Sequence, residues 1–334
     1  MTPAEESLPL ARLDKIPLAL LPVIALAALP LIPSLPTWVT LTVAGLAMGM
    51  MIFIMASGLT LVFGLMDVMN FAHGAFITIG AFVATSVLLP LAAWTQADNL
   101  WMNLAAMLLA ILAAMAVNGA IGLAFERVII KPVYGQHLKQ ILITMGGLIV
   151  AEQLILVIWG PDIIGLPKPA TLRGSFVFGD IAIEKYRMLA VIVGLAVFAA
   201  MFLVLSRTRV GLLIRAGVED SEMVESLGYR IRRVFIGVFA TGSALAGLGG
   251  VMWALYQETV NAAMGMQVMI LIFIVIIIGG LGSVGGCFIG ALLVGLVANY
   301  VGFLAPKLAL GSNILLMVLI LLWRPQGLYP VAKR

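Results

Sequence analysis

Asp67, Asn70 and His73 stand three residues apart in the run GLTLVFGLMDVMNFAHGAF (58–76), inside a stretch that is otherwise apolar. On a helix, a carboxylate, an amide and an imidazole at that spacing, with Gly74 beside them, would follow one another along one side. Three roles fit. The groups line a path for a polar solute, or Asp67 and His73 form a proton relay. Alternatively Asp67 and Asn70 cap a helix starting near Phe71, the Asn side chain holding its first N–H groups. Asn118, Glu152, Gln153, Gln257, Glu258, Gln267 and Asn299 are also polar within apolar runs. Glu152–Gln153 stands out among them, because a carboxylate deep in such a run has to be paired or hydrated. The alternative for this pair is polar glue between helices.

Other chemistries find no footing. GGLGSVGG (279–286) lacks the Lys and the Ser/Thr that a nucleotide-binding loop needs for phosphate and Mg²⁺. His73, His137 and the single Cys287 make no zinc site by local spacing. No catalytic constellation stands out, and the chain is expected to bind no cofactor of its own.

The elements that position these residues are legible from charge alone. The chain has 334 residues, 63% hydrophobic and 10% charged. Soluble domains carry about 25% charged residues, so this is a polytopic helical membrane protein. No charge occurs between Lys15 and Asp67, nor between Glu258 and Lys307. Each gap is long enough for two or more crossings of about 20 residues. The runs do not alternate as barrel strands do. A net charge of +4 reflects basic residues on cytoplasmic loops and not nucleic-acid binding.

The expected fold is an all-α transmembrane bundle of eight to ten spans with broken helices, forming one domain over 1–334. The spans read as 16–34, 38–63, 71–93, 102–125, 140–159, 187–205, 234–257, 266–281, 286–304 and 309–323, the first serving as a span or signal anchor. With both termini inside, only Lys168, Arg173, Lys185, Arg187 and Lys307 of the 19 Lys and Arg lie outside. That bias predicts N-in/C-in. It makes 1–15 and 324–334 cytoplasmic tails, 160–186 an external loop with a short hairpin, and 206–233 a cytoplasmic segment. Trp94, Trp101 and Trp323 sit where interface anchors belong.

Gly-rich stretches such as GSALAGLGG (242–250) supply the small residues that let membrane helices approach closely. GGLGSVGG reads as a re-entrant segment, with Gly282 and Ser283 as gate residues. Its position against 58–76 suggests an internal repeat with broken helices in matching places.

SRTRVGLLIRAGVEDSEMVESLGYRIRRVF (206–235) is basic, then acidic at Glu219, Asp220, Glu222 and Glu225, then basic again after Gly228. Acids suit the first turns of a helix from about Ser221, and Gly228 suits its end. A short charged helix between two spans either docks in a groove of a partner or is a solvated loop.

These motifs resemble a known family. GLTLVFGLMDVMNFAHGAFITIGAF is similar to the N-terminal signature of the branched-chain amino acid permease subunits of bacterial ABC importers. GLLIRAGVEDSEMVESLGYRIRRV, LAGLGGVMWAL and IIGGLGSVGG match further stretches in the same order, from about residue 40 to 328. The wording is nearer the first of the two paralogous permeases. The resemblance implies a multi-pass subunit of the bacterial inner membrane with no enzymatic activity. It implies a second paralogous permease, two cytoplasmic ATPase subunits that hold ATP and Mg²⁺, and a periplasmic or lipid-anchored binding protein. Glu222 and Gly228 stand at the spacing of the family's E-A-A-x-x-x-G coupling motif, with Met223 and Val224 in place of the alanines. By that likeness the 219–229 helix enters an ATPase groove, with Arg215 contributing. The substrate expected is a branched-chain or related amino acid, with urea, short amides and aromatic acids open. The competing class is a proton-coupled secondary transporter using Asp67, Glu152 and His73.

Overall fold

A computed structural model describes residues 15–219 and 221–330. The chain is helical almost throughout. In order it forms α1 (Lys15–Ala28), α2 (Leu35–Met66), α3 (His73–Leu88), α4 (Ala92–Thr95), α5 (Leu100–Phe125) and α6 (His137–Trp159). A loop follows, with strands β1 (Ile164–Gly165), β2 (Ser175–Phe178) and β3 (Ile181–Glu184). Then come α7 (Lys185–Arg207), α8 (Arg209–Glu219), α9 (Ser221–Ser226), α10 (Ile231–Gln257), β4 (Thr259–Val260), α11 (Met264–Gly279), α12 (Val284–Leu304) and α13 (Ala309–Trp323).

Helices α2, α5, α6, α7, α10 and α12 are long and apolar enough to cross a membrane. Apolar helices α1, α3, α11 and α13 are shorter and complete the ten stretches expected from the sequence. Local signals set the boundaries. Ser34 accepts the Thr37 N–H at the start of α2, and Asn99 accepts the Trp101 and Met102 N–H groups at the start of α5. The expected hairpin is present as β2–β3, with Ser175 opposite Glu184.

The core lies at the centre of the bundle. The 32 residues of α2 extend ~48 Å, and Met51–Ala56 are fully buried. α2 packs on α12, α10 and α7, and α10 packs on α5 and α3. Two aromatic clusters fill the wider gaps. Phe53, Phe198 and Phe288 join α2, α7 and α12, and Phe76, Phe125 and Phe239 join α3, α5 and α10. Where no side chain fits, glycines meet: a Cβ on Gly58 of α2 would strike the Gly242 carbonyl of α10.

The two halves of the core are one device used twice in opposite senses. α2 ends at Asp67, an interruption follows, and the short α3 begins at His73. α10 ends at Glu258, an interruption follows, and the short α11 begins at Met264. Asp67 matches Glu258, Asn70 matches Asn261, and Gly74 matches Gly265, each pair separated by the same interval in sequence. α3 and α11 cross at Gly74 and Gly265. Thr78 of α3 stands over Gly265, and its counterpart Met269 of α11 stands over Gly74. Outer helices follow the same exchange: α5 packs on α10 and α3 as α12 packs on α2 and α11, and α6 leans on α3 as α13 leans on α11.

The partner of 58–76 is therefore 249–267 and not the 279–291 stretch expected from glycine content. GGLGSVGG is no re-entrant segment. It is the tight turn from α11 to α12, in which Gly280 and Gly282 take positive φ and Ser283 accepts the Gly286 N–H.

Candidate functional site

The first interruption carries the residues singled out in the sequence. Asp67 does not continue a helix toward Asn70. It adopts the left-handed conformation (φ 51°, ψ 37°) and closes α2, its N–H bonding to Phe63 O at 2.9 Å. The expected side-chain cap on the following helix is absent: α3 starts after Ala72 with no side-chain cap, and only the Asn70 carbonyl accepts the His73 N–H. The Asp67 side chain is half exposed, 3.7 Å from the exposed His137 at the start of α6. His73 is buried, with Nε2 2.8 Å from the Met55 carbonyl on α2. Asp67 and His73 thus have different partners and no bond to each other.

A chain break inside a bundle leaves main-chain groups to be satisfied. Thr144 of α6 does this for the first one. Its hydroxyl receives the Phe71 N–H at 3.1 Å and donates to the Gln140 carbonyl at 2.7 Å. Phe71 also rests on Phe273 of α11, with ring centres 4.9 Å apart. Asn70 is buried, and its Oδ1 has no hydrogen-bond partner. A buried acceptor left so costs about 1–3 kcal/mol.

The second interruption is held by a strand. β1 pairs with β4, Ile164 opposite Val260, and the Leu166 N–H bonds to the Glu258 carbonyl at 2.9 Å. Beside it lies a charged knot that sequence reading missed. Lys168 is nearly buried, 2.5 Å from Glu184 Oε1 and 3.2 Å from Glu258 Oε1, and Glu184 also takes Arg187 at 2.9 Å. The Lys168 ammonium lies over the rings of Tyr186 and Tyr256. Burial alone would lower the Lys168 pKa, but bonds to the two carboxylates outweigh it and hold it above the ordinary value. Burial would raise Glu184, and Lys168 and Arg187 outweigh that and hold it below the usual carboxylate range.

The other sequence candidates are scattered. Glu152 and Gln153 sit on the outer side of α6, Glu152 half-buried and Gln153 exposed, away from the central core. Gly282 serves close packing, since a Cβ there would lie 2.5 Å from Gly64 Cα, and Ser283 is a helix cap.

In the 206–233 segment the structure has two helices, α8 and the shorter α9, where one spanning 219–229 was expected. α9 ends as its sequence dictates. Gly228 takes φ 86°, the Tyr229 N–H reaches back to Val224 O at 3.3 Å, and the Gly228 N–H to Glu225 O at 2.9 Å. That is the doubly bonded glycine stop of helix ends. Glu225 is exposed. Asp220 lies outside the described residues, as do the side chains of Arg215, Glu219 and Glu222. Three apolar side chains that sequence reading passed over, Met223, Leu227 and Tyr229, are more than half exposed around this stop.

The fold defines a polytopic helical membrane protein whose core is interrupted twice. Residues 41–323 match the family model described as branched-chain amino acid transport system / permease component. The chain belongs to that family and is a transport subunit, not an enzyme. It is 29% identical over 307 residues to the high-affinity branched-chain amino acid transport system permease protein BraD of Pseudomonas aeruginosa, covering 89% of this chain and 97% of BraD. It is 27% identical over 291 residues to LivH of Escherichia coli K12, a permease protein of the same description, covering 85% of this chain and 92% of LivH. LivM of that organism is 26% identical over 307 residues, covering 85% of this chain and 69% of LivM. No solved structure matches.

Proposed function

We propose that this chain is the first-type permease subunit of an ABC importer for branched-chain or related amino acids. It works in the bacterial inner membrane, with both termini in the cytoplasm. Its partners are a second, paralogous permease, two ATPase subunits that hold ATP and Mg²⁺, and a periplasmic or lipid-anchored binding protein. Family membership and the similarity to BraD and LivH support the reading. The structural observation that carries it furthest is the α8–α9 elbow. Two short helices between α7 and α10 present exposed Met223, Leu227 and Tyr229 beside the exposed Glu225. A knob of that composition fits a groove on another protein better than it fits water. Arg215, Glu219, Asp220, Glu222, Glu225 and Gly228 are the coupling residues of this reading.

ATP closure of the partner subunits moves the elbow, and the motion reaches the two interruptions through α7 and α10. Asn70, His73 and Gly74 act as the hinge of a gate, with Asp67 at its mouth. Gly282 and Ser283 keep the α11–α12 turn rigid beside it. Crossing at Gly74 and Gly265 lets α3 and α11 swing with little steric cost.

Reconstitution of the chain with its partner subunits in vesicles tests this. ATP-dependent uptake of leucine, isoleucine or valine is expected, with none from the chain alone under a pH gradient. Uptake by the isolated chain driven by protons would overturn the reading.

A further inference from the structure

The membrane helices expose their outer faces unequally in kind. α7 presents Ile192, Leu195 and Leu203, all exposed and apolar, as a face turned to lipid should. α6 is as open as α7 and also largely apolar, with Leu142, Ile149, Leu154 and Ile158 exposed, but in addition it carries the exposed Gly146 and Gln153 and, beside Gln153, the half-buried Glu152. Glu152 makes no hydrogen bond or ion pair among the described residues. It lies four residues beyond the middle of the 23-residue α6, about 6 Å along the axis and well inside a hydrocarbon core of about 30 Å. A carboxylate there costs about 2.5–3.5 kcal/mol if left to lipid. Gly146 adds a notch, for a Cβ there would meet nothing in this chain. A glycine notch and polar side chains at depth are what close helix–helix contact in a bilayer uses.

We propose that this face of α6 is the contact surface for the second permease subunit, whose helix lies against Gly146 and Gln153 and offers Glu152 a hydrogen-bond donor. The inference rests on the importer reading above, which supplies that subunit. LivH and LivM both align with this one chain, so the expected occupant is a chain of the same fold with comparable helices. Glu152 and Gln153 then line the seam between two subunits and not the interior of either.

The test uses the full complex of both permeases and the ATPase subunits, purified in active form. Cys287 is buried, so a single cysteine introduced by Gln153→Cys or Ile192→Cys carries the spin label. Oxygen dissolved in lipid should collide freely with the label on Ile192→Cys in every preparation. The label on Gln153→Cys should be shielded in the complex and become accessible in the chain purified alone. Glu152→Lys should abolish co-purification of the second permease, and Glu152→Gln should retain it. Equal oxygen access at both positions in a complex that still imports with ATP would overturn this surface while leaving the importer reading intact. Shielding of Gln153→Cys without any second permease, through a pair of identical chains, would overturn the assigned occupant. Failure of any complex or ATP-dependent uptake to form would bring down the importer reading first.

Discussion

Asp67 and Glu258 occupy the same place in the two inverted halves, and both are left-handed, at φ 51° and 57°. No other non-glycine residue among those described has positive φ. Each closes a long helix, and each meets a basic side chain from a neighbouring segment, His137 at 3.7 Å and Lys168 at 3.2 Å. Left-handed backbone costs an L-residue about 1–2 kcal/mol, Asp less than most, and a β-branched residue is a marked outlier there. Asp67→Val and Glu258→Val should each lower the melting temperature in detergent. Asp67→Gly and Glu258→Gly accept the left-handed backbone and should lose less than the Val variants. Equal losses for Val and Gly would show that the backbone conformation is not what these positions supply.

The Lys168 knot predicts stability lost at both ends of the pH scale. Lys168 is held above its ordinary 10.5, so its contribution is complete below that value and disappears as pH rises through the folded-state pKa. Glu184 is held below its ordinary 4.5, so its contribution is complete above that value and disappears as pH falls through the folded-state pKa. Thermal unfolding followed between pH 3 and 11 should show a plateau with a fall on each side. Lys168→Met leaves Glu184 with Arg187 alone and the half-exposed Glu258 without its cation, and should cost about 1–3 kcal/mol at neutral pH, with the alkaline fall removed.

Thr144 of α6 holds the first interruption through its hydroxyl. Thr144→Val keeps the shape and leaves the Phe71 N–H without its acceptor, a loss of about 1–3 kcal/mol. Thr144→Ser should restore most of it. Hydrogen exchange at Phe71 should accelerate in the Val variant alone, and unchanged exchange would mean that the bond contributes little.

Coupling should depend on the apolar knob as well as on charge. Leu227→Glu and Tyr229→Glu leave α9 and its stop in place, and should abolish ATP-driven uptake while preserving membrane insertion. Gly228→Ala places a side chain in open space but at φ 86°, costing about 1–2 kcal/mol; Gly228→Trp adds bulk and should abolish uptake outright. Normal transport by the Trp variant would remove the elbow from the mechanism.

Much of this was written in the sequence. Long apolar runs located the ten apolar helices, including α6 with Glu152 inside it. The glycine stop at 228 was legible because a helix end needs positive φ there. The second interruption was not, because its residues look ordinary. ETVNAAMG (258–265) shares with DVMNFAHG (67–74) only an acid, an Asn, an Ala and a Gly at fixed offsets. That sparse pattern is the signal that could have found it; glycine abundance, which pointed to 279–291, records helix packing instead. Lys168 and Glu184 were hidden for another reason. They lie 16 residues apart in a loop, and only the pairing of β1 with β4 brings Glu258 to them.

The two interruptions differ in what grips them. A helix side chain, Thr144, holds one from within the bundle, and a two-residue strand with a single lysine holds the other from the loop side. The halves are alike in architecture and unlike in fastening, so equal force on both would not release them together. A symmetric scaffold with unequal catches would part at one interruption before the other.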